Sequence, residues 1–417
     1  MFSFSRIPRL ARQLKANDLE TRTKALRELQ DLSKLGALRP KEAADALRAA
    51  ASQFPPLEHD WQDAGESLIR VAAADPSPEH VAIIFKNFGS YSKSAKLAAL
   101  SLLTRIPSQE ATKAFVTLAL ECARLGDLDQ LSTQGFDSNP RDADILFPTL
   151  FGLAPLSPRL EWDVYLLGLT YAQSGMLSQG MLSNETGAVR AAYRRYAQVL
   201  RPQQSKQGVA WMWEDEYGAA RDKASLLLDF MGYLPADTVE EDLREVLTFR
   251  DARLVHFAAM SLLRQGLDVA SKALKRVAAS PEMRGALYDE LEKQGKLALY
   301  PAEYATQAAL AEASMVHWLT FPTELAAVPD EIELMKVVEV ETTDGPADYY
   351  LYRFRTFAPH WAADDGWMAG IAGPFSKGQL STYGSDTFSS FEAWDAKTPE
   401  EHMQDITDTV DQIPGRS

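Results

Sequence analysis

Apolar residues recur every three to four positions from residue 8 to about residue 310, the spacing that gives a helix one buried face. Leu19, Leu26, Leu29 and Leu32 form one stripe; Ala98, Leu102, Leu103 and Ile106 form another. The breaks between stripes carry helix-start chemistry. Ser77-Pro78-Glu79, Ser157-Pro158 and Ser280-Pro281-Glu282 each put a hydroxyl that accepts an orphan backbone N–H before a proline that has no N–H to leave unpaired. Asp237, with Glu240 three residues on, reads as a capping box. Many short helices in series are predicted, with no strand-like alternation among them. Residues 173–187 hold three glycines and two copies of Gly-Met-Leu-Ser, and read as a mobile loop or frayed turn, with a Met-lined contact loop as the alternative.

The period changes after about residue 330. Lys336–Glu341 and Tyr349–Phe357 alternate around Asp344-Gly345, which predicts a hairpin. Gly366–Pro374 reads as a third strand, and Thr398-Pro399-Glu400-Glu401 as the start of a last, acidic helix. The expected fold class is mainly α, with a small β-hairpin-containing module at the end. The expected domains are a helical one over 1–325 and an α+β module over 326–417.

A basic residue followed three positions later by an inward-facing one recurs along the helical part. It appears at Arg22 and Ala25, Lys96 and Ala99, Arg190 and Tyr193, Arg221 and Ala224, and Arg253 and His256. The phrase from Asp18 through Arg22, Ala25 and Leu26 to Leu29 resembles the HEAT-like and armadillo-like α-helical repeats over residues 10–310. That resemblance implies an irregular α-solenoid of antiparallel helix pairs, with an acid and a base tying neighbouring repeats together. The basic residues stand 74, 94, 31 and 32 apart rather than at a steady period, and an irregular helical bundle is the alternative.

Composition narrows the function more than the fold. Apolar residues make up 46% of the 417 and charged residues 24%, enough to bury a large core. The net charge of −15 argues against a general nucleic-acid or anionic-membrane binder. The first 50 residues carry 11 Lys/Arg against 6 Asp/Glu, whereas residues 330–417 carry 6 against 17. Cys122 is the only cysteine, so no internal disulfide forms and a cysteine-based metal site is excluded. No apolar run reaches the length of a membrane span. The basic start, with Ile7, Leu10 and Leu14 at helical spacing, reads as the first helix of the fold rather than a targeting segment, which places the protein in the cytoplasm.

Candidate chemistry is sparse. The six histidines are scattered and none sits in a metal-binding spacing; His256 falls on an apolar helix face, as an interior residue would. No nucleophile elbow or phosphate loop occurs. No catalytic residue, cofactor or metal is expected. Two aromatic–acidic regions remain as candidate partner-binding surfaces. Trp211, Trp213 and Glu214 form one; Trp361, Asp364, Asp365 and Trp367 form the other, within an aromatic-rich stretch over 357–394. The expected function is therefore non-enzymatic binding of a macromolecule. In its sharper form this is a scaffold-like, immunity-type inhibitor or adaptor holding a basic protein partner such as a toxin. A DNA glycosylase-like helical-repeat enzyme and a structural homo-oligomer are the alternatives; nucleic acid is disfavoured by charge.

Overall fold

A computed structural model describes residues 5–35, 40–59, 61–128, 130–206, 210–321, 324–342, 345–356, 366–380 and 392–404. The predicted helices form. They run α1 Ile7–Gln13, α2 Leu19–Leu35, α3 Pro40–Ala50, α4 Ala64–Ala72, α5 Glu79–Asn87, α6 Lys93–Arg105, α7 Gln109–Leu125, α8 Gln134–Ser138 and α9 Ala143–Leu153. Then come α10 Pro158–Gln173, α11 Gln179–Gln203, α12 Asp215–Met231, α13 Ala236–Val246, α14 Ala252–Arg264, α15 Ser271–Ala279, α16 Pro281–Lys293 and α17 Gln307–Leu319.

Their starts show which local signals are used. The hydroxyls of Ser92, Ser108, Ser157 and Thr306 accept backbone N–H bonds at the starts of α6, α7, α10 and α17. Ser280 precedes α16 but makes no side-chain cap, and α5 starts after Pro78 without one. Asp237 is not a cap: Pro235 holds that position, and Asp237 lies in the first turn of α13, where its charge suits the helix dipole. Residues 179–187 are helical rather than a loop, because α11 begins at Gln179 and only Ser174–Ser178 connects it to α10.

The chain divides into two compact units, Met1–Glu185 and Thr186–Ser417. The change from helix to sheet therefore falls inside the second unit. Within the first unit α2, α4, α6 and α8 each pack on the next of that set. So do α3, α5, α7 and α9, while α1 rests on α2 and α3. In the second unit α12 packs on α14 and α14 on α16, with α13 and α15 against α14. Leu100, Phe115, Leu146, Phe147 and Tyr171 fill the first interior, and Phe230, Leu254, Leu262 and Leu287 the second.

Several polar bonds between elements span 30 to 34 residues, while those from α11 to α13 span 44 to 52. Lys96 Nζ reaches Asp127 at 2.8 Å, 31 residues away. Thr112 donates to Asp142 at 2.8 Å over 30 residues, and the Leu131 amide donates to Asp163 at 2.7 Å over 32. In the second unit Tyr217 bonds Asp251 over 34 residues, and Ser261 donates to the Leu228 carbonyl over 33. Asp222 of α12 meets Arg253 of α14 at 3.1 Å, while Arg221 approaches Asp251, the N-cap of α14, at 3.9 Å.

The sheet near the C-terminus has the order β1-β2-β3-β4, all antiparallel: β1 Glu331–Thr342, β2 Gly345–Arg355, β3 Met368–Ser376 and β4 Glu392–Ala393. Thr342 pairs with Gly345 across the hairpin. Alternation sends Tyr350, Tyr352 and Phe354 to the face against Ala311, Met315 and Leu319 of α17. Tyr349 and Leu351 pack on the other face with Ala369, Ile371 and Met403. Gln307 of α17 fixes the junction, donating to the Ser376 carbonyl at 2.8 Å and accepting from Tyr350 at 2.7 Å. The helix start at Thr398 is a reciprocal capping box: its amide donates to Glu401 at 2.8 Å and its hydroxyl accepts from the Glu401 amide at 3.3 Å.

Candidate functional site

Of the residues singled out from sequence, the side chains of Trp211, Glu214 and Trp367 are among the described ones. Trp361, Asp364 and Asp365 lie outside the described residues, as does His360. Trp367 is half-buried and already occupied by this chain: the guanidinium carbons of Arg353 and Arg355 lie 4.5 and 4.6 Å from its ring centre. Those arginines pair in turn with Glu333 and Glu331 across the strands, at 2.5 and 2.6 Å. Among the described residues, Trp367 thus sits in a cation–π ladder with Arg353 and Arg355. Trp211 is 2% exposed and packs edge-on against Tyr217, with ring centres 4.8 Å apart and Arg250 above it. It is a core side chain. The side chain of Trp213 lies outside the described set, and Glu214 is exposed, 3.4 Å from Lys206.

His256 is interior, as expected, and burial depresses its pKa to about 4. Its Nδ1 has no hydrogen-bond partner among the described residues. Cys122 is buried, and burial pushes its thiol up, away from reactivity. Among the described residues no group of three or more His, Cys, Asp or Glu is placed to hold a metal ion, and no helix is long and apolar enough to cross a membrane.

A binding-sized hollow exists elsewhere, on the first unit. Two cavities, about 500 and 390 Å³, share the lining residues Glu66 and Arg70 of α4. Both fall in the range of ligand clefts. The larger is walled by one side of α6, where Ser94, Leu97, Ala98, Ser101, Leu102 and Arg105 recur at helical spacing, and by the segment before α8. The smaller is walled by Leu26, Gln30, Ser33 and Lys34 of α2, and by Trp61 and Gln62 ahead of α4. The groove thus crosses α2, α4 and α6, helices that pack successively on one another.

Its charges are unequally engaged. Asp63 Oδ1 accepts the Glu66 amide at 2.6 Å and caps α4, while Glu66 holds Arg70 at 2.7 Å. Arg105 and Lys34 are exposed and have no ion pair or hydrogen bond among the described residues. Gln130 and Gln134 add amides, and Ser94 and Ser132 add hydroxyls, that are likewise unengaged among the described residues. At the rim Trp61 is 74% exposed, its ring stacked on His59 at 5.4 Å.

No protein-family model matches the chain, and no curated protein or solved structure is similar to it at a meaningful level. The groove must be read from its own groups. Amides, hydroxyls and free cations hold a ligand by hydrogen bonds and charge; neither cavity is lined by a histidine or cysteine that would serve a nucleophile. Sequence reading missed this site because Ser, Gln and Arg on the solvent side of a helix look alike wherever they occur. The one distinguishing signal was Trp61, an aromatic in a proline-rich connection with no stripe to join.

Proposed function

We propose that the protein is a non-catalytic, macromolecule-binding helical-repeat protein, an irregular HEAT-like solenoid whose first unit holds a protein partner in the groove across α2, α4 and α6. The observation that carries this reading is that two ligand-sized cavities share Glu66 and Arg70 as lining residues, so that they adjoin across successive helices. The repeat reading is supported by the inter-helix bonds that recur over 30–34 residues in both units, close to the length of one helix pair. A cytoplasmic location accords with a lone buried cysteine.

An adaptor or inhibitor role fits such a groove. A basic toxin as the partner draws no support from it, because the cations that stand free there would repel one. A glycosylase-like role is disfavoured by the net charge of −15, because duplex binding rests on phosphate neutralisation.

A photo-crosslinking residue placed at Ser101, inside the groove, tests the reading in cells. Crosslinking to a discrete protein from Ser101, and not from Lys113 on α7, supports it; equal crosslinking from both positions, or from neither, removes it.

A further inference from the structure

We propose that the groove takes an extended, acidic stretch of polypeptide. This deepens the groove reading and rests on it.

The two cations without a partner among the described residues line different cavities. Lys34 lines only the smaller cavity and Arg105 only the larger, with the Glu66–Arg70 pair between them. A compact anion would satisfy one of them; two carboxylates spaced along a chain satisfy both. The free groups alongside are amides and hydroxyls: Gln30 in one cavity, Gln130, Gln134 and Ser94 in the other. Each offers both a donor and an acceptor, which is what a peptide backbone requires, since every residue presents an N–H and a C=O. A phosphodiester backbone only accepts, and would leave the amide oxygens unpaired. Trp61 at the rim provides the apolar face on which a side chain flanking the acidic run rests.

The wider field agrees. The first unit carries 20 Lys/Arg against 22 Asp/Glu and the second 23 against 36, so most of the net negative charge belongs to the second unit. An acidic segment approaching the groove meets a nearly neutral unit with its uncommitted cations inside the hollow.

Fluorescence anisotropy on the full chain tests the proposal with three labelled peptides of equal length and matched apolar residues, one carrying glutamates, one lysines and one neither. The glutamate peptide is expected to bind tightest. Arg105→Glu and Lys34→Glu each weaken it by about tenfold, the loss of one charge-assisted hydrogen bond. Lys113→Glu leaves it unchanged. The double variant reverses the preference toward the lysine peptide, a gain that misfolding would not produce. Equal binding of the neutral or lysine peptide to the wild type overturns the acidic class. If that binding still falls with Trp61→Ala, the groove reading survives alone. Displacement of the glutamate peptide by oligo(dT), with a steep loss in salt, assigns the groove to single-stranded nucleic acid and overturns the proposal. Absence of binding by all three peptides overturns the proposal and the groove reading together.

Discussion

The hydroxyl of Tyr217 donates a 2.7 Å hydrogen bond to Asp251, which lies 34 residues further along the chain. Asp251 also accepts the amides of Arg253 and Leu254 at 3.0 and 3.3 Å, capping α14. One buried carboxylate therefore starts one helix and ties it to the previous pair. Asp251→Ala is expected to cost about 3 kcal/mol, combining a lost cap with a stranded phenol. Tyr217→Phe keeps the cap and costs about 1 kcal/mol. Urea unfolding followed by circular dichroism separates the two; equal losses would mean that the cap contributes nothing.

Gly135 in α8 comes so close to α6 that an added Cβ would sit 2.4 Å from the carbonyl carbon and oxygen of Thr104. Backbone cannot yield as a side-chain tip does. Gly135→Ala is expected to lower stability by about 3 kcal/mol, the upper range for overpacking. Because Arg105 and Gln134 adjoin this contact, the same change should weaken ligand binding in the groove. A variant with wild-type stability would show that α6 and α8 are not held together here.

His256 is depressed to about 4 by burial, with Arg264 and Arg253 adding to the effect and Glu290 opposing it. An unfolded histidine titrates near 6.5. The stability this neutral ring contributes is fully present above pH 6.5 and is lost as pH falls toward 4, by about 3 kcal/mol in all. Asp229, raised by burial, acts in the opposite direction, and His80, also lowered by burial, acts in the same one. The test is therefore comparative. Stability against pH should be flatter between 6.5 and 4 in His256→Gln than in the wild type; parallel curves would contradict the assignment.

Trp367 lies under Arg353 and Arg355 on the sheet. Trp367→Ala should cost about 1 kcal/mol of stability, the scale of exposed cation–π contacts. It should leave partner binding unchanged. Loss of binding without loss of stability would return the C-terminal module to the role first expected of it.

Much of the fold was legible because its signals are local. Leu26, Leu29 and Leu32 are buried where the stripe put them, although Leu19 at its start is 43% exposed; Ser157 caps α10, Thr398 and Glu401 form a capping box, and the hairpin closes beside Gly345. The ties between successive elements were harder to see, since they use unlike pairs: Thr112 with Asp142, Ser261 with a carbonyl, Lys96 with Asp127. No motif captures such a set, although the distances along the chain agree. Trp211 misled because burial beside Tyr217 is fixed by a tertiary contact that its acidic neighbours do not reveal. The groove was invisible for a similar reason: Gln30, Arg70 and Arg105 come to line adjoining cavities only when α2, α4 and α6 lie side by side.

Hydrogen–deuterium exchange of the chain, alone and with the glutamate peptide, tests the central claim most directly. The account predicts slowed exchange over residues 26–34, 61–73, 94–105 and 130–134, with the sheet unaffected. Protection confined to residues 331–376, with the groove exchanging as in the free chain, would contradict it.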